Sequence, residues 1–154
     1  MARVFLDSGV FVKAICADWG AAKAILVLGC YSVLVVETSE VVLAEVVAAL
    51  QRKDIPTGPT SDFAKLLKKL RLTLHPKPSR ADVQAGIEKY LPLMRHKTDV
   101  AVLVSAILAN PDWLVSDNPD HFSSAVASAS GLRIVSSPQL MRYLNVSHEK
   151  KGGT

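Results

Sequence analysis

Short β-favouring runs alternate along the chain with longer stretches whose apolar residues recur at helical spacing. Arg3 to Leu6 reads as a first strand that stops at Asp7-Ser8-Gly9. Helical patterns follow from about Val10 and from Trp19 to Gly29, with Gly29 expected as a C-cap. Tyr31 to Val36 is a near-continuous apolar run, expected for a strand covered on both faces. Thr38 and Ser39 are placed to cap the next helix, with Glu40 in its first turn and Arg52-Lys53 in its last. Beyond the breaks at Pro56, Gly58 and Pro59, Ser61 to Arg71 predicts a basic amphipathic helix with Phe63, Leu66, Leu67 and Leu70 on one face. Leu72 to Leu74 suits a short strand, and Ser79 caps a helix running to about Tyr90. Thr98 is expected to cap a helix from Asp99 to Ala109. Trp113 to Ser116 and Leu132 to Val135 read as strands, and Pro138 starts a last short helix. Strands separated by helices predict an α/β fold, a parallel sheet sandwiched between helical layers, whose ligands bind beyond the carboxyl ends of the strands.

Size and composition narrow this further. The 154 residues, 49% hydrophobic and 21% charged, fit one compact domain over residues 1–146, with 147–154 expected as a disordered C-terminal tail. The longest apolar stretch, Ala24 to Val36, is 13 residues and is broken by Gly29 and Ser32, short of the roughly 20 needed to span a bilayer. The chain reaches Asp7 before a signal-peptide core could form. Cys16 and Cys30 are too few for a disulfide scaffold and lack zinc-site spacing. A cytoplasmic protein with no membrane association is the expectation. The net charge of +4 is unevenly spread: Gln51 to Arg80 holds eight basic and two acidic residues, the remainder ten and twelve. A basic segment suits a polyanion such as nucleic acid, and equally an ordinary solvated helix face.

Five acids stand out. Asp7 ends the first strand, where a turn or N-cap acid is also ordinary. Glu45 is the only charged residue between Val41 and Leu50, and Val41, Val42, Ala48 and Ala49 surround it at helical spacing. A lone carboxylate buried there must be paired, protonated or bound to a cation. Asp99 opens an apolar helix, a position the helix dipole favours for an acid. Asp117 follows the strand Trp113 to Ser116, with Asp120 three residues on, in ordinary turn chemistry. Taken together, Asp7 and Asp117 would open into one cleft if their strands are neighbours, where Glu45 and Asp99 could join them. Like charges so gathered raise one another's pKa values or take up a hard divalent cation, Mg²⁺ or Mn²⁺ before zinc.

At these residues the chain resembles the PIN-domain nucleases, including the toxins of VapC-like toxin–antitoxin pairs. The resemblance runs from Val4 to about Val135. It is carried by Val4-Phe5-Leu6-Asp7-Ser8-Gly9-Val10, by Glu45 in its apolar helix, by Thr98-Asp99, and most strongly by Trp113 to Phe122 with its Ser116-Asp117 turn. It implies a three-layer α/β/α sandwich with a central parallel sheet and a Mg²⁺- or Mn²⁺-dependent endoribonuclease. In that likeness Asp7, Glu45, Asp99 and Asp117 are the catalytic and metal-holding acids, with Asp120 as an accessory ligand. The sequence departs from the pattern at Gly9, where the family often carries Asn or Ser able to orient the first acid. An acidic cluster repels RNA, so Lys65, Lys68, Lys69 and Arg71 are expected to supply a basic rim. The likeness also implies a protein antitoxin and a homodimer. A non-catalytic RNA-binding or protein-interaction module retaining the fold is the alternative, and a metal-dependent phosphatase is a third, weakened because Asp7-Ser8-Gly9 lacks a second Asp.

Other catalytic chemistries find less support. Of His75, His96, His121 and His148, no pair has metal-ligand helical spacing, and His121 beside Asp120 is open to a role in supporting the acids but reads first as a turn histidine. Neither cysteine has a catalytic companion, Ser123 to Ser130 carries no nucleophile motif, and no Gly-rich phosphate loop is present.

Overall fold

The computed structural model describes residues 1–17, 19–52, 65 and 68–152. Five strands form one all-parallel sheet: β1 (Arg3–Leu6), β2 (Val35–Ser39), β3 (Thr73–His75), β4 (Trp113–Val115) and β5 (Ile134–Val135), in the order β3-β2-β1-β4-β5. The helices are α1 (Ser8–Cys16), α2 (Ala21–Cys30), α3 (Glu40–Arg52), α4 (Arg80–Tyr90), α5 (Lys97–Ala109), α6 (Ser124–Ser130) and α7 (Ser137–Gly152). The result is a three-layer α/β/α sandwich. α2 packs against α1 and α7, α4 packs against α5, and α5 leans on β2. α3 touches both α1 and α5 and so bridges the helical layers at the carboxyl end of the sheet. Chain order runs outward from β1 through β2 to β3, then returns to β4 on the other side of β1. The reversal leaves a crevice between the ends of β1 and β4, the place where such sheets bind ligands.

The strands are short because they are covered on both sides: Val4, Phe5, Leu6, Leu114 and Val115 are fully buried. Buried hydroxyls tie the strand ends to the helices. Thr38 Oγ1 donates to the Leu6 carbonyl at 3.0 Å. Ser105 Oγ of α5 donates to Ser39 Oγ at 3.0 Å, and Ser39 Oγ in turn accepts from the Val42 amide that opens α3. The ends of β1 and β2 and the starts of α1 and α3 are thereby held together.

Several expectations shift. β2 begins at Val35, so Tyr31 to Leu34 belong to the turn after α2, with Ser32 at φ 58°. Gly29 lies inside α2, and Tyr31 is the C-cap. A Cβ on Gly29 would stand 2.6 Å from Leu70 Cδ1 and 2.7 Å from Val36 Cγ2, so close approach of helix and sheet, not capping, requires glycine there. α5 starts at Lys97 with His96 as N-cap, two residues earlier than a Thr98 cap would give. Ser123 to Ser130 folds as α6, with Ser123 as its N-cap and Gly131 at φ 76° closing it. α7 continues through Ser147 to Gly152, where the sequence reads as a tail. Phe63, Leu66 and Leu67 of the basic helix lie outside the described residues.

A buried acid that the hydrophobic pattern overlooks is Glu37 of β2, 1% exposed. Arg3 grips it with two hydrogen bonds, Nε to Oε2 at 2.6 Å and Nη2 to Oε1 at 2.9 Å, and His75 Nε2 meets Oε1 from β3. Arg3 also donates to the Ala109 and Asn110 carbonyls at the end of α5. An arginine and a histidine therefore complete this carboxylate inside the sheet. Among the described residues, no helix is long and apolar enough to cross a membrane.

Candidate active site

The register of β1 on β4 pairs Leu6 with Val115, so the next residues out, Asp7 and Ser116, emerge side by side. Ser116 Oγ donates to Asp7 Oδ2 at 3.1 Å, and the Ser8 amide donates to Asp7 Oδ1 at 2.8 Å as Asp7 caps α1. From α3, Glu45 faces the same space, and from the first turn of α5 comes Asp99. These three acids line one cavity of about 300 Å³ together with Ser8, Ala48, Ala49, Arg52, His96, Thr98 and His121. Asp7 and Asp99 are buried, at 7% and 8% exposure, and Glu45 is half-buried.

The electrostatics follow from that gathering. Burial pushes the Asp7 carboxyl above its ordinary value; the Ser8 amide and the Ser116 hydroxyl pull it back, and the charge of Asp99 pushes it up again. Burial likewise raises Glu45, opposed by a hydrogen bond from the Ser8 side chain and reinforced by Asp7 and Asp99. Asp99 Oδ2 is buried without any hydrogen-bond partner. His121 Nδ1 lies 3.2 Å from it, but not in hydrogen-bonding orientation. A buried carboxylate oxygen left unsatisfied beside two other acids presents hard oxygen donors, a chemistry that suits Mg²⁺ or Mn²⁺ better than zinc. The protein groups do not by themselves form a finished cage: among the described residues, no three His, Cys, Asp or Glu side chains converge on one metal position.

The remaining predicted residues lie elsewhere. Asp117 is not in the cavity. Its Oδ1 accepts from the Ser137 amide and its Oδ2 from the Ser137 hydroxyl, both at 2.7 Å. Lys13 Nζ approaches Asp117 Oδ2 at 3.4 Å. The start of α7 and α1 thus account for this acid. Asp120 is exposed in a turn where its amide meets Asn118 Oδ1. Lys65, Lys68, Lys69 and Arg71 are exposed and none lines the cavity. The cation that does is Arg52, which sequence reasoning treated only as a helix-end residue. Its signal was present: Glu45, Ala48, Ala49 and Arg52 are spaced three, four and seven apart, one face of α3. His121 and His96, read as incidental, sit at the cavity with their rings edge to face, 5.6 Å between centroids. At Gly9 a Cβ would meet nothing within 4 Å, so the space a polar side chain would fill is open.

No protein-family model and no curated protein matches the chain. Solved structures do match in fold. VapBC2 from Rickettsia felis bound to a DNA fragment from their promoter aligns with a TM-score of 0.67 at 17% identity, covering 87% of this chain and 98% of that one. FitAcB from Neisseria gonorrhoeae aligns at 0.60 and 12%, covering 87% and 97%. FitAB bound to the IR36 DNA fragment aligns at 0.58 and 13%, covering 87% and 94%. At such identities the likeness establishes the fold: the chain has the three-layer, PIN-like architecture of these proteins over nearly their whole length.

Proposed function

We propose that the chain is a Mg²⁺- or Mn²⁺-dependent endoribonuclease and the toxin of a toxin–antitoxin pair. The observation that carries this reading is the unpartnered Oδ2 of buried Asp99, in one cavity with Asp7 and Glu45 at the switch point of a PIN-like sheet. A divalent ion bound there supplies an activated water and neutralises the phosphoryl oxygens of an RNA backbone. Asp7 and Asp99 would hold the ion, Asp7 being oriented by Ser8 and Ser116. Glu45, half-buried with its pKa raised, suits acceptance of a proton from the attacking water. Arg52, at the cavity wall, draws in the phosphate. Lys65, Lys68, Lys69 and Arg71 contact RNA farther along its backbone, which makes binding salt-sensitive. Asp117, held by Ser137, and the exposed Asp120 would be at most accessory to that ion.

The protein partner is an antitoxin, supported by the resemblance to VapC-like toxins and by the fold shared with VapBC2 and FitAB. A homodimer fits the same reading and is checked by sedimentation.

The absence of a finished three-ligand cage among the described residues favours one competing reading, a non-catalytic RNA-binding or protein-interaction module. One experiment separates them. The purified chain is incubated with structured and unstructured RNAs, with and without Mg²⁺ or Mn²⁺, beside Asp7→Asn and Asp99→Asn. Metal-dependent cleavage confined to wild type is expected. Cleavage indifferent to chelator and to both substitutions would sink the metal–carboxylate mechanism, and RNA binding without cleavage would support the module.

A further inference from the structure

We propose that α4 and α5 form the face on which two copies of this chain pair about a two-fold axis. Leu108 of each copy seats in the groove of the other, and Asp82 of each meets Lys89 of the other. This rests on the homodimer named above and narrows it to one surface; it does not depend on the metal chemistry.

An open groove of about 190 Å³ lies between the two helices. Ala85 and Gly86 line it from α4, and Val104, Ile107 and Leu108 from α5. The helices close up at its floor, where a Cβ on Gly86 would run into Val104, so small residues on α4 are what hollow it out. Leu108 stands at the rim, 60% exposed. A single exposed leucine is ordinary. Beside an apolar hollow on the same face it is a knob next to a hole. In an isologous pair both copies contribute the same patch, so a surface pairs with itself only if it carries both halves of the fit.

The charges of the groove are self-complementary as well. Asp82 in the first turn of α4 and Lys89 in the last both line it, two turns apart along one face of the helix. Lys89 Nζ lies over the Tyr90 ring, 5.2 Å from its centroid, which holds the ammonium at its end. Among the described residues, neither Asp82 nor Lys89 has an ion-pair partner. A two-fold axis normal to the groove reverses the direction of the second α4 and so sets Asp82 against Lys89 twice. The lining carries one charge of each sign in a chain of net +4, so a polyanion gains nothing there. A second copy matches both ends and fills the hollow with what the face already carries.

The test is sedimentation of the full-length, untagged chain alone, from low to high micromolar concentration, with circular dichroism to check the fold of each variant. Wild type should dimerise. Leu108→Lys, which puts a charge into the centre of the contact, should weaken dimerisation about tenfold or more. Asp82→Lys and Lys89→Asp should each do the same by setting like charges against each other at both ends. Gln84→Lys, on the opposite side of α4, should change it less than about threefold. Mixing Asp82→Lys with Lys89→Asp should restore a dimer, because one copy then brings two cations and the other two anions to the paired ends. That rescue would not occur if either change acted by damaging its own helix. A wild-type dimer indifferent to Leu108→Lys and to both reversals would overturn the proposal while leaving the homodimer and the nuclease reading intact. A folded wild type that stays monomeric throughout would overturn the proposal and the homodimer together, with RNA cleavage still to be judged by its own assay.

Discussion

Ser116→Ala removes one hydroxyl at the joint between β1 and β4. Ser116 Oγ donates to Asp7 Oδ2 at 3.1 Å and accepts from the Asn118 amide at 3.2 Å. A hydrogen bond to a charged, buried group contributes about 1.5–3 kcal/mol. The alanine leaves no bulky void, so that interval is the expected loss in urea-unfolding free energy near neutral pH. The sign of its pH dependence is fixed. Ser116 stabilises the ionised Asp7, so its contribution is present above the folded pKa of Asp7, itself raised from 3.8, and is lost as pH falls through that value. The wild-type and Ala curves should therefore converge in acid. If Asp7 holds the proposed ion, loss of the hydroxyl that orients it should also weaken Mn²⁺ binding roughly 10–100-fold. Ser116→Thr, which keeps the hydroxyl, should recover most of both effects. An alanine variant as stable and as tight for metal as wild type would refute the claim that Ser116 orients Asp7. A loss of stability that persisted unchanged into acid would refute the electrostatic part alone.

Two other outcomes follow from the same geometry. In the metal-free chain, Asp7 and Glu45 have folded pKa values raised above their unfolded ones. Their proton-linked stabilisation is complete below the unfolded values and is lost as pH rises through the folded ones. Asp7→Asn should accordingly flatten the decline of the urea midpoint with rising pH, and a steeper decline would contradict the raised pKa. Gly29→Ala should cost about 1–3 kcal/mol from overpacking, despite alanine's better helix propensity, because its Cβ would meet Leu70 and Val36 inside 3 Å; a gain in melting temperature would show that α2 can shift away from the sheet.

The sequence was most informative where periodicity and chemistry coincide. Asp7 after a short apolar strand and Glu45 isolated in an apolar helix both appear where the pattern puts them. Asp99 does too, although its helix opens at Lys97 instead of after a Thr98 cap. β2 was misplaced because Tyr31 to Val36 is apolar throughout, and periodicity cannot say where such a run stops being a turn. Glu37 escaped notice for the same reason: its partners, Arg3 and His75, lie 34 and 38 residues away. Asp117 was grouped with the other acids by its position after a strand, whereas its carboxylate is taken up by the Ser137 amide and hydroxyl, 20 residues on, a pairing no local pattern announces. His121 could not be separated from an ordinary turn histidine until the loop after β4 folded back against Asp99.

The chain contains its own comparison for the acids of the cavity. Glu37 is at least as deeply buried as Asp7 or Asp99, and there the fold brings an arginine and a histidine from two neighbouring strands to surround it. Evidently this backbone can complete a sequestered carboxylate from within when the role is architectural. At the cavity it does not: buried Asp99 Oδ2 is left without a hydrogen-bond partner among like charges, with Arg52 at the wall. One sheet thus carries both a closed circuit of charge and an unfinished one, and the proposed function places its external ion at the unfinished one.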